Sequence, residues 1–494
     1  MVDNTAARLA LTICVPVLLA LCLYVYTVLC RPTSKLPGPW YSKWTNLMLD
    51  YHWLNGTRPQ YVHLLHHIYG PIVRIGPDEV DVCDIDAVKT IYTTRETFLK
   101  SAWYQSFTTY GKESVFSTRN VAFHRKHRKL LSGPLGESAL QVHTQHIHSL
   151  VELAIEKIRQ EMRAKGAADI YKWWLFLVTD VIGDLTFGES FRMVELGEKN
   201  DYIRVLEATQ SQWVIRSRFP LLTSIAHVVP LPFFSQAVGL TRKLECYASE
   251  SLGRYKRLVD SDPDHVRQTL FTNLFKAKED EHLTFEEIRD EAEVYIIAGS
   301  NSTAVTLSYL VWSVCRHPRV QAALVRELRT LPDDFNELQL KELPYLNQVI
   351  TETLRLNAPA LDGLPRSVPP GGTELCNYHL NEGTTVCVQA YSMHRIPDVY
   401  TNPEEFDPSR WEEPTKAMKD AYIAWGRGAR GCFGIHVAQL EIRIATARFF
   451  LAFPDAKVSG LDGMNDGDMA QEIYWLVSPK GKRCLIQSSG ATLG

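Results

Sequence analysis

The chain has 494 residues, 45% of them hydrophobic, and a formal net charge of −3 from 53 Lys and Arg against 56 Asp and Glu. The balanced charge argues against nucleic acid as a partner, since nucleic-acid-binding proteins carry a strongly basic face. Ten cysteines are too few for a disulfide scaffold in a chain of this length. The sequence contains no CxxC pair or zinc-type Cys/His spacing, so we expect reduced thiols in a chain folded in the cytosol.

Residues 9–30 form an uncharged, apolar run near the start of the chain. A helix of that length rises about 33 Å, which is enough to cross a hydrocarbon core of roughly 30 Å. The apolar core of a cleaved signal peptide is shorter, about 7–15 residues. We therefore predict one single-pass transmembrane anchor. Because Arg31, Lys35 and Lys43 follow the run and only Arg8 precedes it, the positive-inside rule places the rest of the chain in the cytosol.

The elements after the anchor are mainly helical. Residues 31–40 contain three prolines and a glycine and predict a stiff linker, followed by one body over 41–494. Short strands are predicted at 72–76, 79–83, 384–388, 472–477 and 483–487. Long helices are predicted at 137–164, 172–187, 200–217, 236–260, 284–317 and 434–452. The apolar, proline-broken segment 219–234 predicts either a buried connector or a mobile lid that dips into a bilayer, and we favour the lid.

The most informative stretch is 425–434, Trp-Gly-Arg-Gly-Ala-Arg-Gly-Cys-Phe-Gly. Its glycines let the backbone approach a ligand closely. Cys432 lies just before a predicted helix, and a helix N-terminus with nearby arginines lowers the pKa of a thiol. These are the needs of a thiolate that ligates iron, and the other nine cysteines lack this setting.

Two other interpretations of the loop stay open. Gly426, Gly428 and Gly431 spell GxGxxG after a strand-like stretch at 421–425, which is the pattern of a dinucleotide-binding dehydrogenase. That pattern needs a βαβ unit and an acid about 20 residues further on, and it leaves Cys432 without a role. A nucleophilic cysteine enzyme would need a histidine supplied from elsewhere, and no local signature supports it.

The loop resembles the haem-binding loop FxxGxRxCxG of the cytochromes P450. Gly428, Arg430, Cys432 and Gly434 match, while Trp425 replaces the usual Phe. The resemblance extends in order along the chain. It implies a mainly α, cytochrome P450-like helical fold with a small β-rich subdomain, preceded by one N-terminal transmembrane helix. It also implies haem b, iron protoporphyrin IX, with the Cys432 thiolate as axial ligand and the Trp425 ring near the sulfur.

Further segments carry the same resemblance. Glu352 and Arg355 form an ExxR pair on one helix face. The resemblance implies that they make a structural lock with Arg410, whose neighbour Ser409 stands where Glu is frequent.

Haem carries two propionates, which need fixed cations. His124 and Arg128 occupy the positions of the family's WxxxR helix, with His in place of Trp. The resemblance implies that these two residues, together with Arg366 and Arg430, bind the propionates.

Residues 298–303, Ala-Gly-Ser-Asn-Ser-Thr, lie in the middle of the long predicted helix and contain poor helix formers. They predict a local distortion, or alternatively a tight helix crossing. The block resembles the family's oxygen-activation motif AGx[D/E]TT, which makes Asn301, Ser302 and Thr303 the candidate catalytic residues. Ser302 keeps a hydroxyl, but Asn301 replaces an acid and cannot shuttle a proton by ionising.

The implied function is an endoplasmic-reticulum monooxygenase that inserts one atom of O2 into a small apolar molecule, such as a terpenoid or polyketide intermediate of secondary metabolism. Electrons would come from NADPH through NADPH–cytochrome P450 reductase, with cytochrome b5 as an alternative donor. Asn301 keeps a haem-thiolate isomerase, dehydratase or peroxygenase open, and GxGxxG keeps an NAD(P)-dependent dehydrogenase open. A basic face for the electron donor is expected from Arg125, Lys126, Lys129, Lys419, Arg427 and Arg443.

Overall fold

The computed structural model describes residues 2–107, 113–205, 232–262, 265–276 and 283–489. Most of the apolar segment 219–234 and most of the helix expected at 200–217 lie outside the described residues. The lid hypothesis therefore stays a prediction.

Helices make up most of the described chain, and several are secured by local caps. Asn120 accepts from the N–H groups of Ala122 and Phe123, and Thr284 forms a capping box with Glu287. The helices are α1 Val2–Cys30, α2 Leu47–Leu54, α3 Arg58–Tyr69, α4 Ile85–Ile91, α5 Val121–Ser132, α6 Glu137–Lys165, α7 Ile170–Phe187, α8 Met193–Leu196, α9 Pro232–Ser261, α10 Thr272–Lys276, α11 Phe285–Arg316, α12 Pro318–Leu328, α13 Glu337–Lys341, α14 Pro344–Asn357, α15 Ala390–Met393, α16 Lys416–Ala421 and α17 Ile435–Ala452.

The strands are short and form small sheets. They are β1 Ile72–Gly76, β2 Glu79–Val82, β3 Leu99–Lys100, β4 Ala168–Asp169, β5 Arg366–Ser367, β6 Thr373–Leu375, β7 Tyr378–Leu380, β8 Thr385–Cys387, β9 Lys457–Val458, β10 Gln471–Ile473, β11 Val477–Pro479 and β12 Leu485–Gln487. The largest sheet has the order β1-β2-β8-β5-β3, with β2 and β8 parallel and the other neighbours antiparallel. The predicted strand at 472–477 is instead the hairpin of β10 and β11.

The main core lies where α7, α11 and α17 pack together. Residues 173–187 of α7 are all buried, which agrees with the predominance of apolar residues around this helix. α11 is α-helical over its whole length, so the local distortion expected at 298–303 is not present. Instead, the hydroxyls of Ser300 and Ser302 each donate to the carbonyl four residues earlier, at 2.7 Å.

The N-terminal helix α1 contains the apolar stretch Cys14–Cys30, and its leucines from Leu18 to Leu23 are exposed. Within the described residues, the helix long and apolar enough to cross a membrane is α11, but two thirds of its apolar window is buried inside the protein. α11 is therefore a core helix. These findings leave a transmembrane role for residues 9–30 as a proposal.

The segment after α1 is packed on the body, because Arg74 of β1 holds it. The Arg74 guanidinium is fully buried and donates to backbone carbonyls, among them those of Leu36 at 2.9 Å and Pro39 at 2.7 Å. The Tyr24 hydroxyl of α1 also donates to the Trp44 carbonyl at 2.9 Å. The proline-rich stretch 31–40 thus joins α1 to the body through a fixed contact.

Candidate functional site

The cysteine loop connects α16 to α17 and depends on glycine for its path. Gly428 has a φ of +68°, and a Cβ there would lie 2.6 Å from the carbonyl oxygens of Tyr92 and Thr93. The Cys432 N–H donates to the Trp425 carbonyl at 2.7 Å and closes the loop. Any side chain at position 428 would therefore push the loop away from its support.

The surroundings of the GxGxxG glycines differ from a dinucleotide site. The stretch expected to be a strand at 421–425 begins with the end of helix α16 and contains no strand. The loop therefore has no βαβ setting, and the glycines serve the cysteine.

Cys432 lines an internal space at the N-terminus of α17. Its side chain is accessible to solvent, yet protein surrounds it so closely that burial raises the pKa of the thiol. The Gly434 N–H and the Arg128 guanidinium act in the opposite direction and lower that pKa. The expected lowering by helix and arginine is present, but desolvation outweighs it. The arginine that acts is Arg128 of α5 and not the two arginines of the loop.

Trp425 is expected to place its ring near the sulfur, and that expectation stays a prediction. Its indole N–H is hydrogen-bonded to the Tyr422 hydroxyl, and the ring packs against the core. The contact with Cys432 that the structure shows is made by the Trp425 carbonyl.

Two buried basic side chains face each other across the β3–β5 pair. Lys100 is directly opposite Arg366, and both side chains are about 5% exposed or less. Burial lowers the pKa of Lys100 well below its usual range, and Arg366 and Arg430 lower it further. Arg366 donates to the Tyr104 hydroxyl at 3.2 Å, and no carboxylate pairs with it among the described residues. Like charges opposite one another destabilise a sheet unless an anion lies between them.

Glu96 is the carboxylate of this region. It accepts from Arg430 Nε at 2.6 Å and lies 3.2 Å from His124 Nδ1. Burial raises the pKa of Glu96, but Arg430 and His124 outweigh burial and lower it. Burial and Arg430 lower the pKa of His124 to about 4, so this residue is neutral at pH 7. His124 therefore supplies a neutral ring whose buried Nε2 has no hydrogen-bond partner among the described residues, and its expected contact with a propionate stays a prediction.

These residues fit the haem that the resemblance implies. The guanidinium groups of Arg128, Arg366 and Arg430 converge here with the Lys100 amine, whose charged form is disfavoured without an anion, and among the described residues Glu96 is the carboxylate that forms an ion pair with Arg430. An excess of buried positive charge is costly unless anions offset it, and two propionates would do so. Arg128 donates to the Gly431 carbonyl at 3.2 Å and stacks on Phe433, which joins this cluster to the cysteine loop.

The middle of α11 presents an open face. Ala298 is exposed although Ile296 and Ser300 beside it are buried, so this face also lines an internal space. Ser302 lies one turn further on the same face, with its hydroxyl bonded to the Ala298 carbonyl. Gly299 packs against Ile182 of α7, since a Cβ there would lie 2.9 Å from the Ile182 side chain.

Asn301 and Thr303 are directed elsewhere. The Tyr171 hydroxyl of α7 donates to Asn301 Oδ1 at 3.2 Å. Thr303 is buried and is hydrogen-bonded to Glu441 of α17. Burial raises the pKa of Glu441 to about 8. Of the three candidate catalytic residues, Ser302 lies at the open face. Asn301 and Thr303 instead contact the neighbouring helices α7 and α17.

The Glu352–Arg355–Arg410 lock is assembled and contains more partners than the sequence indicates. Arg355 makes two bonds of 2.8 Å to the Glu352 carboxylate, and both side chains are fully buried. Arg410 Nε and Trp411 Nε1 each donate to Glu352 at 2.9 Å. His394 then links the lock to the cysteine loop, because its Nδ1 lies 2.8 Å from the Arg355 carbonyl and its Nε2 accepts from the Ile423 N–H at 2.9 Å.

Sequence reasoning did not single out Lys100, Glu96, Trp411 or His394. Lys100 and Glu96 stand in a segment without a motif, and their partners are far away along the chain. Trp411 and His394 are close to the lock residues, but their side chains carry no pattern that predicts the contact.

Comparison with known proteins gives a consistent result. The family model described as Cytochrome P450 matches residues 35–470. The chain is 43% identical over 464 residues to the cytochrome P450 monooxygenase tazI of Aspergillus terreus, covering 94% of this chain and 95% of that protein. It is 40% identical to the cytochrome P450 monooxygenase orf2 of Aspergillus niger, covering 95% and 96%. Tryprostatin B 6-hydroxylase of Aspergillus fumigatus is 28% identical, with 92% and 80% covered.

Proposed function

The chain belongs to the cytochrome P450 family of haem-thiolate monooxygenases, and from that premise we propose that Cys432 is its axial ligand and that it oxidises a small apolar molecule. The observation that carries this proposal is the place of Cys432. It lines an internal space, beside the Gly434 N–H and within the field of Arg128. Both groups favour the thiolate, which is the soft anionic ligand that iron needs here.

Bound haem supplies the redox chemistry of O2, and an axial thiolate favours cleavage of the O–O bond. The protein holds the group by charge and shape. Arg366, Lys100, Arg430 and Arg128 would bind the propionates. Gly428 lets the loop pack on the Tyr92 and Thr93 carbonyls, and the Gly434 N–H stabilises the Cys432 thiolate. The lock of Glu352, Arg355 and Arg410 supports the loop. His394 connects the two, because it is hydrogen-bonded to both the Arg355 carbonyl and the Ile423 N–H.

Ser302 is the group that would act on oxygen from the protein side. Its hydroxyl now donates to the Ala298 carbonyl at the open face of α11. A rotation about χ1 would let the same proton point into the internal space, and a hydrogen bond there is worth roughly 1 kcal/mol. Asn301 can orient a neighbour but cannot ionise, and Thr303 has no path to the open face.

We propose that the substrate is a small apolar metabolite and that the reaction is a hydroxylation. The support is that one relative is named a hydroxylase of a small molecule and the others are named monooxygenases. Terpenoid or polyketide intermediates of secondary metabolism have the required chemistry.

Electrons would come from NADPH through NADPH–cytochrome P450 reductase, with cytochrome b5 as an alternative donor. α5 packs against the cysteine loop through Arg128, and its outer side exposes Arg125, Lys126 and Lys129. Those cations suit an acidic donor. Arg443 is bonded to Glu337 and Asn347, and Arg427 lies near Asp420, so these two arginines are engaged within the protein. Arg125 Nε also lies 3.6 Å from Glu96, but its side chain remains mostly exposed.

The location proposed is the endoplasmic reticulum membrane, with residues 9–30 as a single-pass anchor and the body in the cytosol. The uncharged run, the exposed leucines of α1 and the cations that follow it support this placement. Deleting residues 1–30 should release the protein from membranes while haem stays bound.

The test of the function is the spectrum of the reduced protein with CO. Cys432→Ser should abolish the red-shifted Soret band of a thiolate-ligated haem, because an alcohol cannot replace the soft anionic ligand. Cys484→Ser is the matched control and should keep the band, since Cys484 is buried directly before β12, away from the cysteine loop in sequence. A band that survives the first change and is lost in the second would overturn the assignment.

A second candidate is a haem-thiolate isomerase, dehydratase or peroxygenase, and Asn301 is the observation that favours it. Such an enzyme would convert its substrate without consuming NADPH. Measuring NADPH oxidation and O2 uptake with a reductase, in the presence of a compound that shifts the ferric spin state, separates the two functions.

A further inference from the structure

Because Asn301 replaces an acid, position 301 cannot deliver protons to the internal space by ionising. Other residues of α11 offer a different proton path. We propose that Glu291 and Tyr295 form a proton path along α11 that runs from solvent at Glu287 to the open face at Ala298 and Ser302. This path rests on the proposed function, since a monooxygenase consumes two protons per turnover. The five residues follow one another at spacings of four, four, three and four, which places them on one side of the helix. We call this row the α11 stripe.

Glu291 is the centre of the stripe. Its side chain is 1% exposed, and Oε1 accepts from the Val115 N–H at 2.7 Å. Oε2 is buried and has no hydrogen-bond partner in the part of the chain that the structure describes. Burial raises the pKa of Glu291 to about 8, with Asp290 and Glu287 adding to the rise and the Val115 N–H opposing it. At pH 7 the residue is therefore mainly a neutral carboxylic acid that has a proton to give.

Tyr295 is the next group towards the pocket. Its hydroxyl is also buried and unpartnered among the described residues. Burial and Glu291 raise the pKa of Tyr295 while Arg128 of α5 lowers it, and the net rise keeps the phenol protonated. A hydroxyl can accept a proton on oxygen and release its own, so it can pass a proton without ionising. The Tyr295 ring lies 5.9 Å from that of Phe433, the residue after Cys432. This face of α11 therefore lies beside the haem-binding loop.

Glu287 is the solvent end. Its side chain is about one-third exposed and lies 3.4 Å from His127 Nε2. Burial raises its pKa, but the Thr284 N–H and His127 outweigh burial and lower it, so Glu287 is ionised and exchanges protons with water. The groups that act on the stripe are thus Lys126, His127 and Arg128 from α5 and Asp290 from α11 itself.

The proton balance closes without a further reactant. Side chains four apart on a helix have Cβ atoms about 5–6 Å apart, so Glu291 and Tyr295 lie on neighbouring turns, and bridging water would carry the proton between them. Glu291 releases its proton towards Tyr295, whose own proton moves on to the open face, and the carboxylate takes a new proton from solvent by way of Glu287. No protein group is changed after a cycle, and the protons come from water. The other buried acid near this face, Glu441, is bonded to buried Thr303 and has no exposed acid beyond it among the described residues.

The main test is Glu291→Gln in the haem-loaded protein. The amide oxygen can still accept from the Val115 N–H, but the side chain carries no acid proton. With reductase, NADPH and O2 and no organic substrate, two-electron reduction releases peroxide, whereas reduction to water needs further protons. We expect peroxide formed per NADPH to rise at least threefold in Glu291→Gln and in Tyr295→Phe, with the CO spectrum unchanged. Glu286→Gln, an exposed acid on the same helix, is the control and should keep the wild-type ratio.

A second readout does not depend on turnover. The infrared band of a carboxylic C=O at pH 7 should be weaker in Glu291→Gln than in wild type, and the missing component should disappear from the wild-type spectrum as pH rises past 8. Glu441 contributes to the same band, but its share cancels in the comparison.

Wild-type peroxide ratios in both variants, or an unchanged infrared band, would overturn the path. Loss of haem in Glu291→Gln would leave Tyr295→Phe to decide, because it keeps the ring against Phe433. A wild-type protein without the CO band would instead refute the proposed function.

Discussion

Glu441→Gln should make the stability of the folded protein less sensitive to pH. Glu441 lies on α17, fully enclosed, and is hydrogen-bonded to Thr303 of α11. Its pKa is about 8 in the folded protein and takes its ordinary value of 4.5 when the chain unfolds. The folded state therefore binds a proton that the unfolded state lacks at every pH between these two values.

The sign and size of the effect follow from that difference. A carboxyl whose folded pKa is raised stabilises fully below pH 4.5 and loses that contribution as pH rises to 8. At about 1.36 kcal/mol for each of the 3.5 pH units between 4.5 and 8, the loss is about 5 kcal/mol. Glutamine has no such titration. The free energy of unfolding of Glu441→Gln relative to wild type should therefore rise by several kcal/mol across this range.

The measurement is urea unfolding of the haem-loaded protein from pH 5 to 9. Thr303→Val is the matched variant, since the Thr303 hydroxyl lowers the pKa of Glu441 and its loss should move the titration to higher pH. Glu291 titrates in the same range but is common to all three proteins. A constant difference between Glu441→Gln and wild type at every pH would refute the reasoning, because it would mean that the carboxyl is charged or solvated in the fold.

Three other changes probe the rest of the site. Glu352→Gln removes the countercharge of two guanidinium groups and should lower the free energy of unfolding by about 3–5 kcal/mol, measured by urea unfolding; an effect below 1 kcal/mol would contradict a buried lock. Gly428→Ala should yield protein with little bound haem, measured by the ratio of Soret to protein absorbance, because its Cβ would lie 2.6 Å from two carbonyl oxygens; Gly463→Ala, with open space around it, is the control. Lys100→Met should release haem to apomyoglobin roughly tenfold faster, the equivalent of one lost charge-assisted hydrogen bond, whereas Lys100→Arg should not.

The parts of this molecule that are predictable from sequence depend on local pattern. The helix predicted at 137–164 is observed as Glu137–Lys165, because an amphipathic period over many turns fixes both its type and its extent. The predicted contact between Glu352 and Arg355 is present for the same reason, since residues three apart on a helix share a face. The cysteine loop is similar, because Gly426 and Gly428 adopt positive φ, a local backbone requirement that glycine meets.

What could not be predicted depends on contacts between distant segments. The turn of Asn301 towards Tyr171 joins residues 130 positions apart, and no local rule places α7 beside that side of α11. The pairing of Lys100 with Arg366 depends on the register of two strands of two residues each, which are too short to show a period. The expected distortion at 298–303 is wrong because serine hydroxyls satisfy carbonyls of an intact helix, an outcome that helix propensity alone does not foresee.

The Arg74 contact with the proline-rich stretch has a mechanical consequence. A glycine-rich linker would let the body rotate freely relative to α1. Here the Arg74 guanidinium donates to several backbone carbonyls of the linker, and the Tyr24 hydroxyl makes a second contact between α1 and the body. If α1 spans a bilayer, as proposed above, a tilt of the helix would also tilt the body through these contacts. Bilayer thickness controls helix tilt, because an apolar helix leans until its length matches the hydrocarbon layer. The lipid composition around the protein would then influence the angle between the body and the membrane surface. Arg74 would couple the helix tilt to the body through its hydrogen bonds to the linker.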